Sequence, residues 1–165
     1  MDQPSPFEDQ LASLLPRLRR FAHALSRDPA DADDLTQATI ERALRSKAQW
    51  QAGTRLDSWA YRIMRNLWID TARARTRKNA REAPEEEGLG VGEDPREAID
   101  AAVDLKRVMA AMEQLPDEQR EVVALILVEG FGYREVSEML GLPIGTVSSR
   151  LVRGRTALLA MVGER

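Results

Sequence analysis

YREVSEMLGLPIGTVSSRLVRGR, residues 133–155, reads as a short helix, a tight turn and a second helix that carries arginines but no acids. Helical spacing from Tyr133 to Leu140 puts Val136, Met139 and Leu140 on one side. Gly141 offers the left-handed backbone that ends a helix, and Pro143 suits the start of the next. Between Met139 and Gly163 stand three arginines and no Asp or Glu. The whole chain has 27 acidic and 24 basic residues, so acids have been kept off one helix. Phosphate contact requires that, and folding alone does not.

Geometry sorts the second helix into faces. At about 100° per residue, Val147, Leu151, Gly154 and Leu158 share a narrow stripe. Thr146, Ser149, Arg150 and Arg153 project elsewhere, all hydrogen-bond formers of the kind that read base edges or hold phosphates. Ser148 and Arg155 lie on the flank between. A plain solvated amphipathic helix would show the same two faces. The glycine turn and the acid-free stretch together favour DNA.

Working outward, 165 residues suffice for one ordinary domain or two small helical ones. With 43% hydrophobic and 31% charged residues, the composition is that of a globular protein. No apolar run approaches the roughly 20 residues that span a bilayer. The acidic, polar start MDQPSPFEDQ is unlike a signal peptide. Without cysteine, disulfides, thiol catalysis and Cys-based zinc drop out. The expectation is a cytoplasmic protein with no membrane insertion. The net charge of −3 is uneven: 14 basic and 10 acidic residues in 1–80, 4 and 9 in 81–107, 6 and 8 in 108–165. The middle makes the chain acidic, so binding is to be sought at its ends.

Leu11, Leu14, Leu15, Leu18, Phe21, Ala22 and Leu25 predict one amphipathic helix from Phe7 to Leu25. Asp28-Pro29 restarts the chain, and a second helix is expected over Ala30 to Lys47. Trp50 to Arg55 reads as a loop. Asp57 or Ser58 can cap a long third helix to about Lys78. REAPEEEGLGVGEDP, residues 81–95, has three glycines, two prolines and an acidic cluster, and reads as a flexible tether. Helices follow from about Arg96 to Gln114, and from a cap at Asp117 to Glu129. No strand pattern emerges. The fold class expected is all-α: two small helical domains, 1–80 and 96–165, joined by the acidic linker 81–95, with a helix-turn-helix in the second.

Tyr61 to Lys78 holds six basic residues and one acid, with Tyr61 and Trp68 among them. Rings beside cations suit an unpaired strand, because bases stack while cations track phosphates. The competing role for such aromatics is to fill a small core. Asp31, Asp33 and Asp34 answer a helix dipole better than a metal. His23, the only histidine, has no partner at motif spacing. The glycines at 88, 90 and 92 precede no lysine or strand–helix unit, so they form no phosphate loop. No catalytic constellation, metal site or cofactor is expected.

With these segments placed, the chain resembles bacterial sigma factors of the extracytoplasmic-function (ECF) group over about Leu11 to Leu159. ADADDLTQATIERAL is similar to the family's region-two helix that docks on the β′ clamp of RNA polymerase. LDSWAYRIMRNLWIDTARARTR is similar to the segment that melts and reads the -10 element. LPDEQREVVALILVEGFGYREVSEMLGLPIGTVSSRLVRGRTAL is similar to region four, which reads the -35 element. The resemblance implies that Asp33, Asp34, Leu35 and Gln37 face polymerase. It implies that Trp50 to Arg55 is a loop capturing a flipped -10 base, with Ile63 and Asn66 at its floor and Arg62 and Arg73 beside the DNA. It also implies -35 contacts from Thr146, Ser148, Ser149 and Arg153, with Arg150 and Arg155 near phosphates.

Two positions depart from the family pattern. Ser148 stands where Lys or Arg is common, and Trp50 stands where Phe is common. The partners implied are core RNA polymerase (β′ clamp helices and β flap), promoter DNA and an anti-sigma factor. The rival readings are a sigma mimic that sequesters an anti-sigma factor and a free-standing helix-turn-helix regulator.

Overall fold

The computed structural model of the protein describes residues 6–79 and 101–163. The expected tether at 81–95 and the helix start at Arg96 lie outside the described residues. Among those described, every regular element is helical: α1 (Pro6–Ser13), α2 (Leu15–Ser26), α3 (Pro29–Arg45), α4 (Leu56–Asn79), α5 (Ala101–Glu113), α6 (Asp117–Val123), α7 (Tyr133–Leu140) and α8 (Ile144–Gly163). A 3-10 turn at Lys47–Gln49 leads into the loop before α4.

The single helix expected over Phe7 to Leu25 is two. Pro16 lacks the N–H that would bond Ala12, and its ring crowds that carbonyl. The chain therefore turns at Leu14 (φ −82°, ψ −11°) and starts α2 with proline in its first turn. Apolar spacing continues through the break, because Leu11, Leu14, Leu18, Phe21 and Leu25 all reach the core. At α3, the Asp28 carboxylate accepts from the Asp31 amide at 3.2 Å, and Pro29 occupies the first turn. Thr36 and Thr39 are buried without cost, since each hydroxyl donates to the carbonyl four residues back at 2.7 Å.

Asp117 does not cap α6. Pro116 holds the cap position without a side-chain bond, and the Asp117 carboxylate accepts from Arg27 at 3.0 Å and Arg120 at 2.6 Å instead. Beyond Val123 the helix widens into a π turn over Ala124–Val128, with the Glu129 amide bonding the Ala124 carbonyl at 2.9 Å. Gly141 closes α7 at φ 66°, the left-handed geometry read from the sequence.

Helices α1–α4 form an N-terminal unit and α5–α8 a C-terminal unit, and the two share one core. The buried cluster runs from Phe7 and Phe21 through Tyr61 and Met64 to Val122, Phe131 and Leu151. Tyr61 is the hinge pin of this contact. Its ring lies 4.9 Å from Phe21 of its own unit and 5.2 Å, edge-on, from Phe131 of the other. The two units therefore meet along a packed seam formed by α2 and α4 on one side and α6 and α7 on the other.

Candidate nucleic-acid interface

The arginine-bearing helix α8 is anchored by its apolar stripe. Val147 and Leu151 are buried, and Gly154 lies against α6 so closely that a Cβ there would stand 2.7 Å from Val123 Cγ2. That anchoring turns the opposite face outward. Ser149, Arg153 and Arg155 are exposed, while Thr146, Ser148 and Arg150 are half-buried. Arg150 leans toward Glu118, 3.8 Å away. The result is a rigid helix offering hydroxyls and guanidiniums to one side, a form suited to a DNA groove.

In the N-terminal unit the expected pocket residues are only partly brought together. Ile63 and Asn66, one turn apart on α4, line a depression of about 160 Å³ with Arg42, Gln49, Trp59 and Asp70. Trp50 is not among its walls. Its ring packs 5.4 Å from Phe7, with its indole nitrogen buried and unpaired. Arg55 and Arg62 turn toward α7: Arg55 pairs with Asp57 at 2.9 Å and with Glu135, and Arg62 donates to the Glu138 carbonyl at 3.3 Å. Arg73 is exposed on the rim of a groove of about 500 Å³ between the end of α4 and α6, floored by Trp68, Ile69 and Ala72. Next to it, Arg75 makes a bidentate pair with Asp31 at 2.8 and 2.7 Å and covers the Trp68 ring at 5.7 Å. Asp31 is thereby held below the ordinary aspartate range by the Arg75 hydrogen bonds. Tyr61 is fully buried, so it is a core residue and no platform for bases.

On α3, Asp33, Asp34 and Gln37 are exposed on the surface. Leu35, expected beside them, is only 6% exposed. At about 100° per residue it stands some 200° from Asp33, and it anchors α3 instead of offering a contact.

Sequence reasoning missed the charged residues of the seam. The Glu129 side chain is 1% exposed and accepts from Arg20 at 2.8 and 2.9 Å, from Arg17 at 3.4 Å and from the Tyr61 hydroxyl at 2.7 Å. Burial alone would push its carboxyl up. The hydrogen bonds from Arg20 and Tyr61 outweigh that and hold the carboxyl below the ordinary glutamate value. Burial and the bond to Glu129 push the Tyr61 phenol up. Glu121 behaves oppositely: it pairs with Arg65, yet burial wins and its carboxyl is raised. Arg120, also buried, donates to the carbonyls of Ala24, Leu25 and Leu115, which closes the C-terminal end of α2 onto α6. The local signal for Glu129 was faint: one acid ending an apolar run, just before Gly130.

Comparison with known proteins follows the same division. The family described as Sigma-70 region 2 matches residues 11–78, and Sigma-70, region 4 matches residues 105–158. The chain is 34% identical over 157 residues to the ECF RNA polymerase sigma factor EcfG of Rhodopseudomonas palustris, covering 93% of this chain and 83% of that one. It is 31% identical to the RNA polymerase sigma factor CarQ of Myxococcus xanthus, covering 96% and 90%. In three dimensions it is similar to the sigma factor RpoE of Bartonella quintana, solved in complex with the anti-sigma factor NepR. There the TM-score is 0.82 at 29% identity, over 97% of this chain and 98% of that one.

Proposed function

Because the chain belongs to the extracytoplasmic-function group of sigma-70-type factors, we propose that it docks on core RNA polymerase and directs initiation at promoters carrying its own -10 and -35 elements. The observation that carries this reading is the co-occurrence, in order, of both sigma regions, with the polar face of α8 free in the second. The N-terminal unit, with bounds near 1–80, docks on polymerase through Asp33, Asp34 and Gln37. It reads the -10 element through the Trp50 loop, Arg55, Arg62, Ile63, Asn66 and Arg73. The C-terminal unit, 96–165, lays α8 in the -35 major groove, with Ser149 and Arg153 toward base edges and Arg150 and Arg155 toward phosphates.

No covalent chemistry is assigned to the protein. Its work is binding: unstacking a base costs a few kcal/mol, and polymerase contacts plus the base pocket offset it. Two weak DNA contacts on one chain gain effective concentration once both engage one promoter. The site of action is the cytoplasm, where bacterial polymerase works, and among the described residues no helix is long and apolar enough to cross a membrane. The NepR complex of the Bartonella relative supports a small anti-sigma protein as the regulator.

Transcription in vitro with purified core polymerase on genomic fragments tests this directly. Discrete new start sites that depend on the protein are expected. Core binding without initiation would favour a sigma mimic, and absence of core binding would leave only a free-standing regulator.

A further inference from the structure

The loop proposed to read the -10 element is fastened at both ends. At its far end Arg55 grips Asp57 through two hydrogen bonds, at 3.1 and 2.9 Å. Between the ends the chain turns at Gly53, whose φ of 91° is left-handed. There the Gln51 carbonyl accepts from the Thr54 amide and hydroxyl at 3.1 and 2.6 Å. The near end is Trp50, and no hydrogen bond fixes its side chain, because the indole nitrogen is buried without an acceptor among the described residues. Packing sets that ring instead. It lies against Phe7 of α1, with centroids 5.4 Å apart and planes at 51°. Phe7 is 3% exposed and also meets Trp59 edge-on at 6.0 Å. Trp59 lines the depression that holds Ile63 and Asn66. One ring of α1 therefore touches both the start of the loop and a wall of the pocket.

Lys47, in the 3-10 turn before the loop, adds a tie from outside. Its Nζ stands 2.9 Å from Glu8 Oε1 and 5.6 Å from the Phe7 ring. Both partners of that ion pair are exposed, so it contributes little beside the apolar contact. Phe7 precedes residues 11–78, the stretch that matches Sigma-70 region 2. The geometry points to Phe7 as a positioning residue for -10 recognition: by bridging Trp50 and Trp59 it fixes where the loop sits relative to the Ile63–Asn66 pocket. The inference rests on the proposed reading of that loop. Hydrogen bonds to a base edge need close alignment, whereas stacking and phosphate contact tolerate a small offset. Loss of the Phe7 ring should therefore blur base choice at one -10 position and not weaken initiation evenly.

Phe7→Met keeps most of the buried volume and removes the flat ring. The assay is initiation in vitro by core polymerase and the full-length protein, on a promoter recovered with the wild type, with each -10 base replaced in turn. The wild type is expected to prefer one base at the captured position by about tenfold or more. Phe7→Met should cut that preference roughly fivefold and leave the preferences at -35 positions unchanged. Trp50→Leu should flatten the same position, and the double variant should go no further, since residues that act through one contact are not additive. Leu18→Ala opens a cavity in the core of the same unit. It should lower the unfolding midpoint and keep the base preference. Even losses at every position in Phe7→Met overturn the anchor, as do additive flattening in the double variant and equal flattening in Leu18→Ala. Three failures stay distinct. No initiation by the wild type sinks the sigma reading, and Trp50→Leu with its preference intact sinks the loop reading. Trp50→Leu losing the preference while Phe7→Met keeps it sinks the anchor alone.

Discussion

Glu129 shows how a single carboxylate can be worth more than its sequence context suggests. It is buried, yet its acidity is strengthened, because Arg20, Tyr61 and Arg17 converge on two oxygens. A group whose folded-state value is depressed stabilises the fold above its unfolded value, and loses that contribution as pH falls through the folded one. Asp57 and Asp31 act in the same sense. Glu121 acts against them: its raised carboxyl is relieved, not harmed, by acid. Glu129→Gln keeps the volume and removes the charge, so it should cost about 1–3 kcal/mol at neutral pH. The parent should lose stability below the ordinary glutamate value of 4.5, and the variant should lose less over that interval. Urea unfolding at neutral pH and in acid measures both. On α8, by contrast, Arg153 is exposed on the polar face. Arg153→Ala should leave the unfolding midpoint unchanged while lowering transcription from promoters with a -35 element, and quantitative run-off assays would register that split.

Elements were legible where local spacing decides them. The helix-turn-helix, its glycine turn and the inward stripe of α8 followed from residues 133–155 alone, because the partners of that stripe lie within the same unit. The break at Pro16 was overlooked since core demand for Leu11, Leu14 and Leu18 runs across it and mimics one continuous helix. Leu35 was misplaced for a related reason: a motif assigns neighbours to one surface, whereas a helix turns about 100° at every residue. Gly154 was legible as a member of the inward stripe, and the structure shows how closely it packs. A methyl there would sit 2.7 Å from Val123 Cγ2 and 3.3 Å from Gln119 Cβ, and Val123 is 1% exposed with little room to yield. Alanine would favour the helix by up to about 1 kcal/mol, but overpacking costs about 1–3 kcal/mol. Gly154→Ala should therefore be a net loss, seen as a lower midpoint in thermal or urea unfolding.

At the scale of the whole molecule the two sigma-region units are packed into one body, an arrangement no local pattern announces. Its contacts join residues 112 and 109 positions apart, as in Arg17–Glu129 and Arg20–Glu129. The bulk signal was present only as an imbalance, basic in 1–80 and acidic beyond it. That imbalance was read as a guide to nucleic acid, and it serves equally to hold the two units together. Arg120 makes the same point: an arginine on α6, it belongs to the end of α2 some 95 residues earlier. Under the proposed function each unit reads one promoter element, -10 or -35, and the two elements lie apart on the DNA.

The most direct measurement of that claim is a footprint on a promoter fragment recovered by transcription, made with polymerase plus this protein and with the protein alone. Two separate protected elements are predicted, appearing only with core enzyme, with Asn66→Ala weakening the -10 protection and Arg153→Ala the -35 protection. A single palindromic footprint made by the protein without polymerase would contradict the account.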